Sequence, residues 1–566
     1  MHLLEAASKT FTCVPFTHEV SAVIAAEYFN ETSPTKAWVL VTAGPGLTNA
    51  LTGIAGAWLE SRELLVVGGQ VKSSDLVGES GVRQRGIQEI DGLSLTRSIT
   101  KAAVRVNEDT ELAVLADQIR SAGVARKGPV FIEVPLDMSG REFPILSSEA
   151  SEALAKEPAR TSYSEVEEDV EFLVSRLSRG KRPVFLIGQG LNKSLASELA
   201  FLLAKKGIPV ATSWTGADRV GVDSPNFIGR PNFFGMRASN IITQQADLLI
   251  TLGARLGLQQ TGFNQTGFAP HAQIISVEID PTECSAPFER GRHCINQDCE
   301  LVVPLLIKKL ELLELDFDFW LDHCKEVMSA FPLVETPEHQ SHEFINPYVL
   351  ISELGTLVDD DELIVPCSSG GTFTAFMQCF RNSSNQRIIS NKGLASMGYG
   401  LAGAIGVGLA NPTRRVLHLE GDGGFLQNLQ ELGTIPQQGL NIKSLIFDNS
   451  GYASIRTTQK RYFGGNYVGC DNLTGLGIPR WKSIAEAYGL EFVSLTVDNW
   501  RFELIEAINS SQATIVRVPV NPEFEYLPKI SSRVLDDGTM ESNPLHIMEP
   551  KVTDAYRTGL IDKFMI

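Results

Sequence analysis

The chain has 566 residues, 43% of them hydrophobic, and a formal net charge of −18. At roughly 150 residues per domain that length makes about three or four domains with sizeable cores, while the acidic surplus excludes a charge-driven hold on nucleic acid or on an anionic membrane, which needs clustered Lys and Arg. No basic segment followed by an apolar run opens the sequence, and Met397 to Ala410, the longest weakly polar stretch, falls short of the roughly 20 residues of a spanning helix, so neither a signal peptide nor a membrane span is expected. The eight cysteines are scattered, and Cys284, Cys294 and Cys299 lack the CxxC spacing or histidine partners of a zinc site. They are expected to be reduced thiols of a cytoplasmic, small-molecule enzyme.

In chain order, His18-Glu19 stands at the head of a helical run from Ser21 to Tyr28. A carboxyl there is favoured by the helix macrodipole, and burial by a ligand ring would raise its pKa enough for it to exchange protons near neutrality. Next, Thr42-Ala43-Gly44-Pro45-Gly46-Leu47-Thr48-Asn49 links a strand, Val39 to Val41, to a helix, Ala50 to Leu59. Glycines at such a turn allow close backbone approach, although Gly-Pro-Gly by itself is commonly a tight turn. Val66 to Val71, Gln88-Glu89 and Lys101 follow, and a polar, Glu/Ser-rich stretch over residues 147–182 reads as a linker.

Residues 183–337 read as a second α/β unit with Gly188-Gln189-Gly190, Gly235-Met236-Arg237, Gly253-Ala254-Arg255 and Glu278-Ile279-Asp280 at strand ends. In residues 338–521, Ser368-Ser369-Gly370-Gly371 follows the strand Leu363 to Val365 and suits a diphosphate. After a Gly-rich run, Ala395-Ser396-Met397-Gly398, the strand Val416 to Leu419 leads into Gly421-Asp422-Gly423-Gly424. An aspartate at a strand's carboxyl end, next to glycines, turns its carboxylate and neighbouring N–H groups toward a metal-bound diphosphate. Asn449 comes 27 residues after Asp422 at the end of the strand-like run Ser444 to Phe447; the interval holds one helix and one strand and can bring both residues to one Mg²⁺. Residues 522–566 lose helical periodicity and read as a turn-rich tail lying on the surface or on a partner subunit.

These stretches resemble, in order, the signatures of thiamine-diphosphate (ThDP) enzymes, and most closely those of the acetohydroxyacid (acetolactate) synthases. The resemblance implies an α/β fold of three doubly wound parallel-sheet domains: pyrimidine-binding (residues 1–146), central and FAD-type (183–337), and pyrophosphate-binding (338–521). It implies that Glu19 contacts the aminopyrimidine, with Gln88 and Lys101 as further catalytic residues. Gly44, Asn49, Ser369, Gly370, Ala395, Met397, Gly421, Gly423 and Gly424 would hold ThDP; Asp422, Asn449 and the carbonyl of Gly451 would hold Mg²⁺. Gly235, Arg255 and Asp280 would serve a structural FAD. In this family the glutamate and the diphosphate site come from different subunits, so a homodimer or homotetramer is implied.

The implied reaction is decarboxylation of pyruvate with transfer of the two-carbon acetyl unit to an acceptor carbonyl. Two departures bear on the acceptor: Ile87 stands where the family carries Phe and Thr458 where it carries a Trp; Asp448 also replaces the first Asn of an Asn pair, but the metal position is the second, Asn449, so Mg²⁺ binding is expected to survive. Smaller side chains leave room for a larger acceptor than a second 2-ketoacid, and the tail resembles that of ThDP enzymes of polysaccharide synthesis that act on keto-sugar nucleotides. Plain acetolactate synthesis, an aldehyde-releasing decarboxylase and a catalytically silent homologue are the alternatives. Met1-His2-Leu3 aligns with a helix of the family, so the pyrimidine domain's first strand is expected to be missing from this sequence, either because the true start lies upstream, the favoured reading since an absent strand would expose a sheet edge, or because the fold tolerates its loss.

Overall fold

The computed structural model describes residues 2–143, 163–335, 341–535 and 538–565, which form two compact units. One combines residues 2–143, Leu363–Gly370 and Ile389–Pro519; the other holds residues 163–335, 341–362, Gly371–Ile388, 520–535 and 538–565.

The first unit contains two parallel sheets. In one, β1 (Trp38–Val41), β2 (Leu64–Gln70), β3 (Ala102–Arg105) and β4 (Pro129–Pro135) lie in the order β1-β2-β4-β3. In the other, strands run in the order Leu363–Pro366, Val416–Gly421, Ile442–Asp448, Thr514–Pro519, Glu491–Ser494, all parallel. The central strand Ile442–Asp448 is buried along its whole length, as the continuous apolar run of a sheet covered on both faces requires. Between the sheets' segments, helix Glu19–Thr32 packs against helix Tyr399–Ala410. Glycine makes that approach possible: a Cβ on Gly406 would stand 2.1 Å from the carbonyl oxygen of Ala25.

The helix after β1 begins at Pro45, not at Ala50. Pro45 occupies its first turn with Gly44 as N-cap at φ +66, where the missing proline N–H costs nothing. Gly-Pro-Gly is therefore the start of a helix rather than a separate turn.

In the second unit β5 (Pro183–Ile187), β6 (Val210–Thr212), β7 (Phe227–Gly229), β8 (Leu248–Leu252), β9 (Gln273–Val277) and β10 (His293–Ile295) form one parallel sheet ordered β10-β9-β8-β5-β6-β7. Two expectations are corrected here. Within the segment read as a linker, Tyr163–Leu177 is helical, and Val166, Val170 and Leu173 are buried in the core of this unit; residues 147–162 lie outside those described. The tail is no loose surface strand either. Ile530, Leu545, Met548 and Leu560 enter the same core, and Ala555–Asp562 is a helix, so buried apolar side chains fix it where its backbone pattern alone shows no periodicity. Among the described residues no helix is long and apolar enough to cross a membrane.

Candidate active site

At the carboxyl end of Val416–Gly421, Asp422 opens a four-residue helix, Asp422–Phe425. The carboxylate is fully buried and accepts hydrogen bonds from the N–H of Gly423 (2.9 Å) and of Gly451 (2.7 Å). The second of these spans from the end of the neighbouring strand, which the parallel register places alongside. Gly451 has φ +133, and a Cβ there would stand 2.1 Å from the carbonyl oxygen of Cys470, so the position tolerates glycine alone. The Gly451 carbonyl oxygen lies 3.5 Å from where a Cβ on Gly423 would stand. Asn449 is buried too, and its Oδ1 has no hydrogen-bond partner among the described residues. A buried amide oxygen left unpaired is costly. A carboxylate, an unpaired amide oxygen and a backbone carbonyl around one corner are the hard oxygen donors that suit Mg²⁺, so the residues fit the metal.

Burial first, then the negative charge of Asp448, pushes the Asp422 carboxyl well above the ordinary carboxylate range; a divalent cation would reverse that balance. Asp448 itself is neutralised by Arg517, whose Nε lies 2.5 Å from its Oδ2, and it accepts the N–H of Ser450 at 3.1 Å. That accounts for an acid at a position where the family carries Asn.

The adjoining loops converge on this corner. Ser369 and Gly370 follow Leu363–Pro366, with Gly370 at φ +82, and the Ser368 hydroxyl donates to the carbonyl of Ser396. Ser396 lies between Ala395, held at φ +56, and Met397, which is 38% exposed. A non-glycine residue with positive φ stores strain that surrounding structure must hold; Ala395, Asn428 and Ser450 all do so within this unit. Gly424 admits the side chain of Glu420, whose Oε1 would be 2.7 Å from its Cβ, and Gly423 packs against the Tyr452 ring. Gly421 is the N-cap of the short helix.

On the pyrimidine side Glu19 is the first residue of its helix, and its Oε2 accepts a 3.0 Å hydrogen bond from Asn49 Nδ2. Gly44 meets Gln88, whose carbonyl oxygen would lie 2.4 Å from a Cβ on Gly44; Gln88 itself is exposed with φ +64. Glu19, Asn49, Gly44 and Gln88 are thus drawn into two contacting pairs. Lys101 is not drawn in. Its ammonium donates to the carbonyls of Val124 (2.7 Å) and Arg126 (2.9 Å) and closes a turn there.

In the second unit the glycine-rich turns touch each other. A Cβ on Gly188 would stand 2.1 Å from the carbonyl oxygen of Gly253, itself at φ +58. A Cβ on Gly235 would stand 2.3 Å from the backbone N of Asn232. Arg237 is buried and paired with Glu335 at 2.7 Å, Arg255 faces Glu283 at 3.9 Å, and Asp280 caps a short helix by accepting from the N–H of Thr282. Near this edge the expectation of reduced thiols fails for one pair: Cys284 and Cys294 form a disulfide, because the turn between Asp280 and His293 brings them together with Cα atoms 5.4 Å apart.

Sequence reading missed Glu27, two turns beyond Glu19. It is fully buried, accepts from Asn391 Nδ2 (3.0 Å) and the Tyr399 hydroxyl (3.1 Å), and lies 3.9 Å from Arg62. Burial raises its pKa to about 7 against the pull of Arg62. A Glu inside an Ala-rich helical run was the available signal, since an acid on a face otherwise apolar needs a partner.

A corner of hard oxygen donors at parallel strand ends and a glutamate at a helix start are what a cofactor-dependent enzyme on a doubly wound scaffold would present. Sequence comparison makes the class specific. Residues 1–95 match the N-terminal TPP binding domain of thiamine pyrophosphate enzymes, 170–303 their central domain, and 369–518 their C-terminal TPP binding domain. The chain is 30% identical over 526 residues to a probable acetolactate synthase large subunit of Methanocaldococcus jannaschii, covering 91% of this chain and 86% of that one. It is 29% identical over 516 residues to the acetolactate synthase isozyme 1 large subunit of Escherichia coli, covering 91% and 88%, and 27% identical over 528 residues to the acetolactate synthase large subunit of Lactococcus lactis, covering 92% and 88%. The chain belongs to the acetolactate synthase-like family of thiamine pyrophosphate enzymes.

Proposed function

We propose that this chain is a ThDP- and Mg²⁺-dependent carboligase that takes a two-carbon unit from pyruvate and delivers it to the carbonyl of an acceptor larger than a second 2-ketoacid, a keto-sugar nucleotide. The observation that carries the cofactor assignment is the unpaired, buried Oδ1 of Asn449 beside the buried carboxylate of Asp422. When bound, ThDP supplies the electron sink for loss of CO₂ and holds the two-carbon unit for transfer. Asp422, Asn449 and the Gly451 carbonyl hold the metal that anchors the diphosphate. Ser369, Gly370, Gly421, Gly423 and Gly424 let backbone approach it. Glu19, kept in place by Asn49, would exchange a proton with the aminopyrimidine nitrogen, and Met397 with the strained Ala395 would support the cofactor. Gly235, Arg255 and Asp280 serve a structural FAD in the second unit, and the active assembly is a homodimer or a larger even oligomer.

The acceptor reading is supported by side-chain size. Ile87 is 88% exposed on its loop, and Thr458 is exposed on helix Ala453–Tyr462, so neither position contributes a large aromatic wall. Retention of Glu19, Asp422 and Asn449 speaks against a silent homologue. Purified protein with ThDP and Mg²⁺ should consume pyruvate and, given a 4-keto-6-deoxy sugar nucleotide, yield a sugar heavier by one acetaldehyde unit. Acetolactate as the sole product would instead assign plain acetolactate synthesis. In either case Glu19→Gln should lower turnover by roughly 10²–10⁴-fold while Mg²⁺-dependent binding of ThDP persists.

A further inference from the structure

We infer that Glu431 is a positioning residue that sets the placement of Glu19 from the metal-binding segment. Glu431 is fully buried in the 3₁₀ turn Leu429–Gly433, which follows the Asp422–Phe425 helix in the chain. Its carboxylate reaches back to the chain entering the Glu19 helix: Oε1 accepts the N–H of His18 at 3.0 Å, and Oε2 accepts the N–H of Thr17 at 3.4 Å. The Thr434 hydroxyl donates to the same Oε2 at 2.9 Å and holds the carboxylate in register. His18 is the N-cap of helix Glu19–Thr32 and makes no side-chain cap hydrogen bond among the described residues. The helix that presents Glu19 thus takes its anchoring charge from a residue 413 positions away in sequence.

The geometry sets more than stability. A carboxylate at the positive end of a helix is attracted by the macrodipole, and two bonds to consecutive N–H groups fix the direction in which the chain enters. Glu19 is the very next residue, so a shift of His18 moves its carboxylate. Asn49 holds one oxygen of that carboxylate from a different helix; Glu431 holds the backbone beneath it. Two turns on, Glu27 ties the same helix to Asn391 and Tyr399. The start and the middle of the Glu19 helix are therefore fastened by buried carboxyl groups to the stretch that carries Ala395, Met397 and Asp422. A misplacement of a catalytic group by about 1 Å can cost on the order of 10² in rate, which is the scale on which such fastening acts.

This inference rests on the ThDP reading of Glu19, and its test separates the two. The full-length chain, Glu431→Gln and Glu431→Ala would be compared first without cofactor, by amide hydrogen exchange, and then with ThDP and Mg²⁺ for pyruvate consumption. Glu431→Ala should speed exchange at Thr17 and His18 at least tenfold while helix Tyr399–Ala410 exchanges as before, and should lower kcat about 10–100-fold with KM for pyruvate moving less than threefold. Glu431→Gln, which keeps one of the two acceptor oxygens, should restore part of both. Unchanged exchange at Thr17 and His18, or a kcat equal to that of the parent, would overturn the assignment. So would faster exchange throughout the chain, which would make Glu431 a general fold residue. An inactive parent would tell against the reading of the site, and the exchange arm would still decide the clamp.

Discussion

The two units use the same glycine-rich signature for different ends. In the second unit Gly188 and Gly253 are glycines because two turns press backbone to backbone. In the first, Gly451 is glycine because its backbone must run at φ +133 past Cys470 so that its N–H meets Asp422. In the first unit the buried Asn449 Oδ1, unpaired among the described residues, fits a metal, whereas in the second Arg237 and Arg255 face Glu335 and Glu283. Gly-rich turns alone do not tell a cradle from a contact.

The sharpest way to break this comparison is to remove the charge at the corner. Asp422→Asn should lower Mg²⁺- and ThDP-dependent turnover by at least ~100-fold, since loss of a metal-anchoring carboxylate removes both a ligand and the charge that holds the ion. The Mg²⁺ titration of ThDP binding checks it. A variant that binds both with parental affinity would refute the corner as the metal site. A matched pair comes next in size. Gly451→Ala and Gly188→Ala each place a methyl 2.1 Å from a carbonyl oxygen, and each should cost roughly 2 kcal/mol or more through forced backbone shifts. Thermal denaturation should show comparable losses. Only Gly451→Ala should also weaken Mg²⁺ dependence; a like effect of Gly188→Ala would erase the distinction between the units.

The strands were legible because each is written locally, as a short apolar run suited to a buried parallel strand, with glycines where the chain must turn closely. What escaped the sequence was long-range. Nothing near Lys101 announces that the carbonyls of Val124 and Arg126 will claim its ammonium, and nothing near Ile530 or Leu560 announces that the tail will be buried, because single apolar residues between turns carry no period. The partner of Cys284 was equally hidden, since it lies ten positions on, across a helix end and a turn, at Cys294. Glu27 and Glu431 escaped for a related reason. An acid in a helix reads as solvated until the elements that bury it are known.

Glu27 gives the smallest effect and the most exact sign. Its folded pKa of about 7 lies above its ordinary value of 4.5, so folding favours the protonated carboxyl. The stability this confers is present below about pH 4.5 and is lost as pH rises through about 7, the full difference being on the order of 3 kcal/mol. The groups that face it are Arg62, Asn391 and Tyr399, with Glu60 acting at longer range and Glu31 taking the closer end of Arg62 at 2.5 Å. That last pair leaves Arg62 at 3.9 Å from Glu27, too far to offset the burial. Glu27→Gln keeps a neutral amide between Asn391 and Tyr399 and has no proton to lose, so its melting temperature should fall less than the parent's between pH 5 and pH 8. Parallel melting curves over that range would mean that Glu27 titrates alike in the folded and unfolded chain, and that Arg62 neutralises it after all.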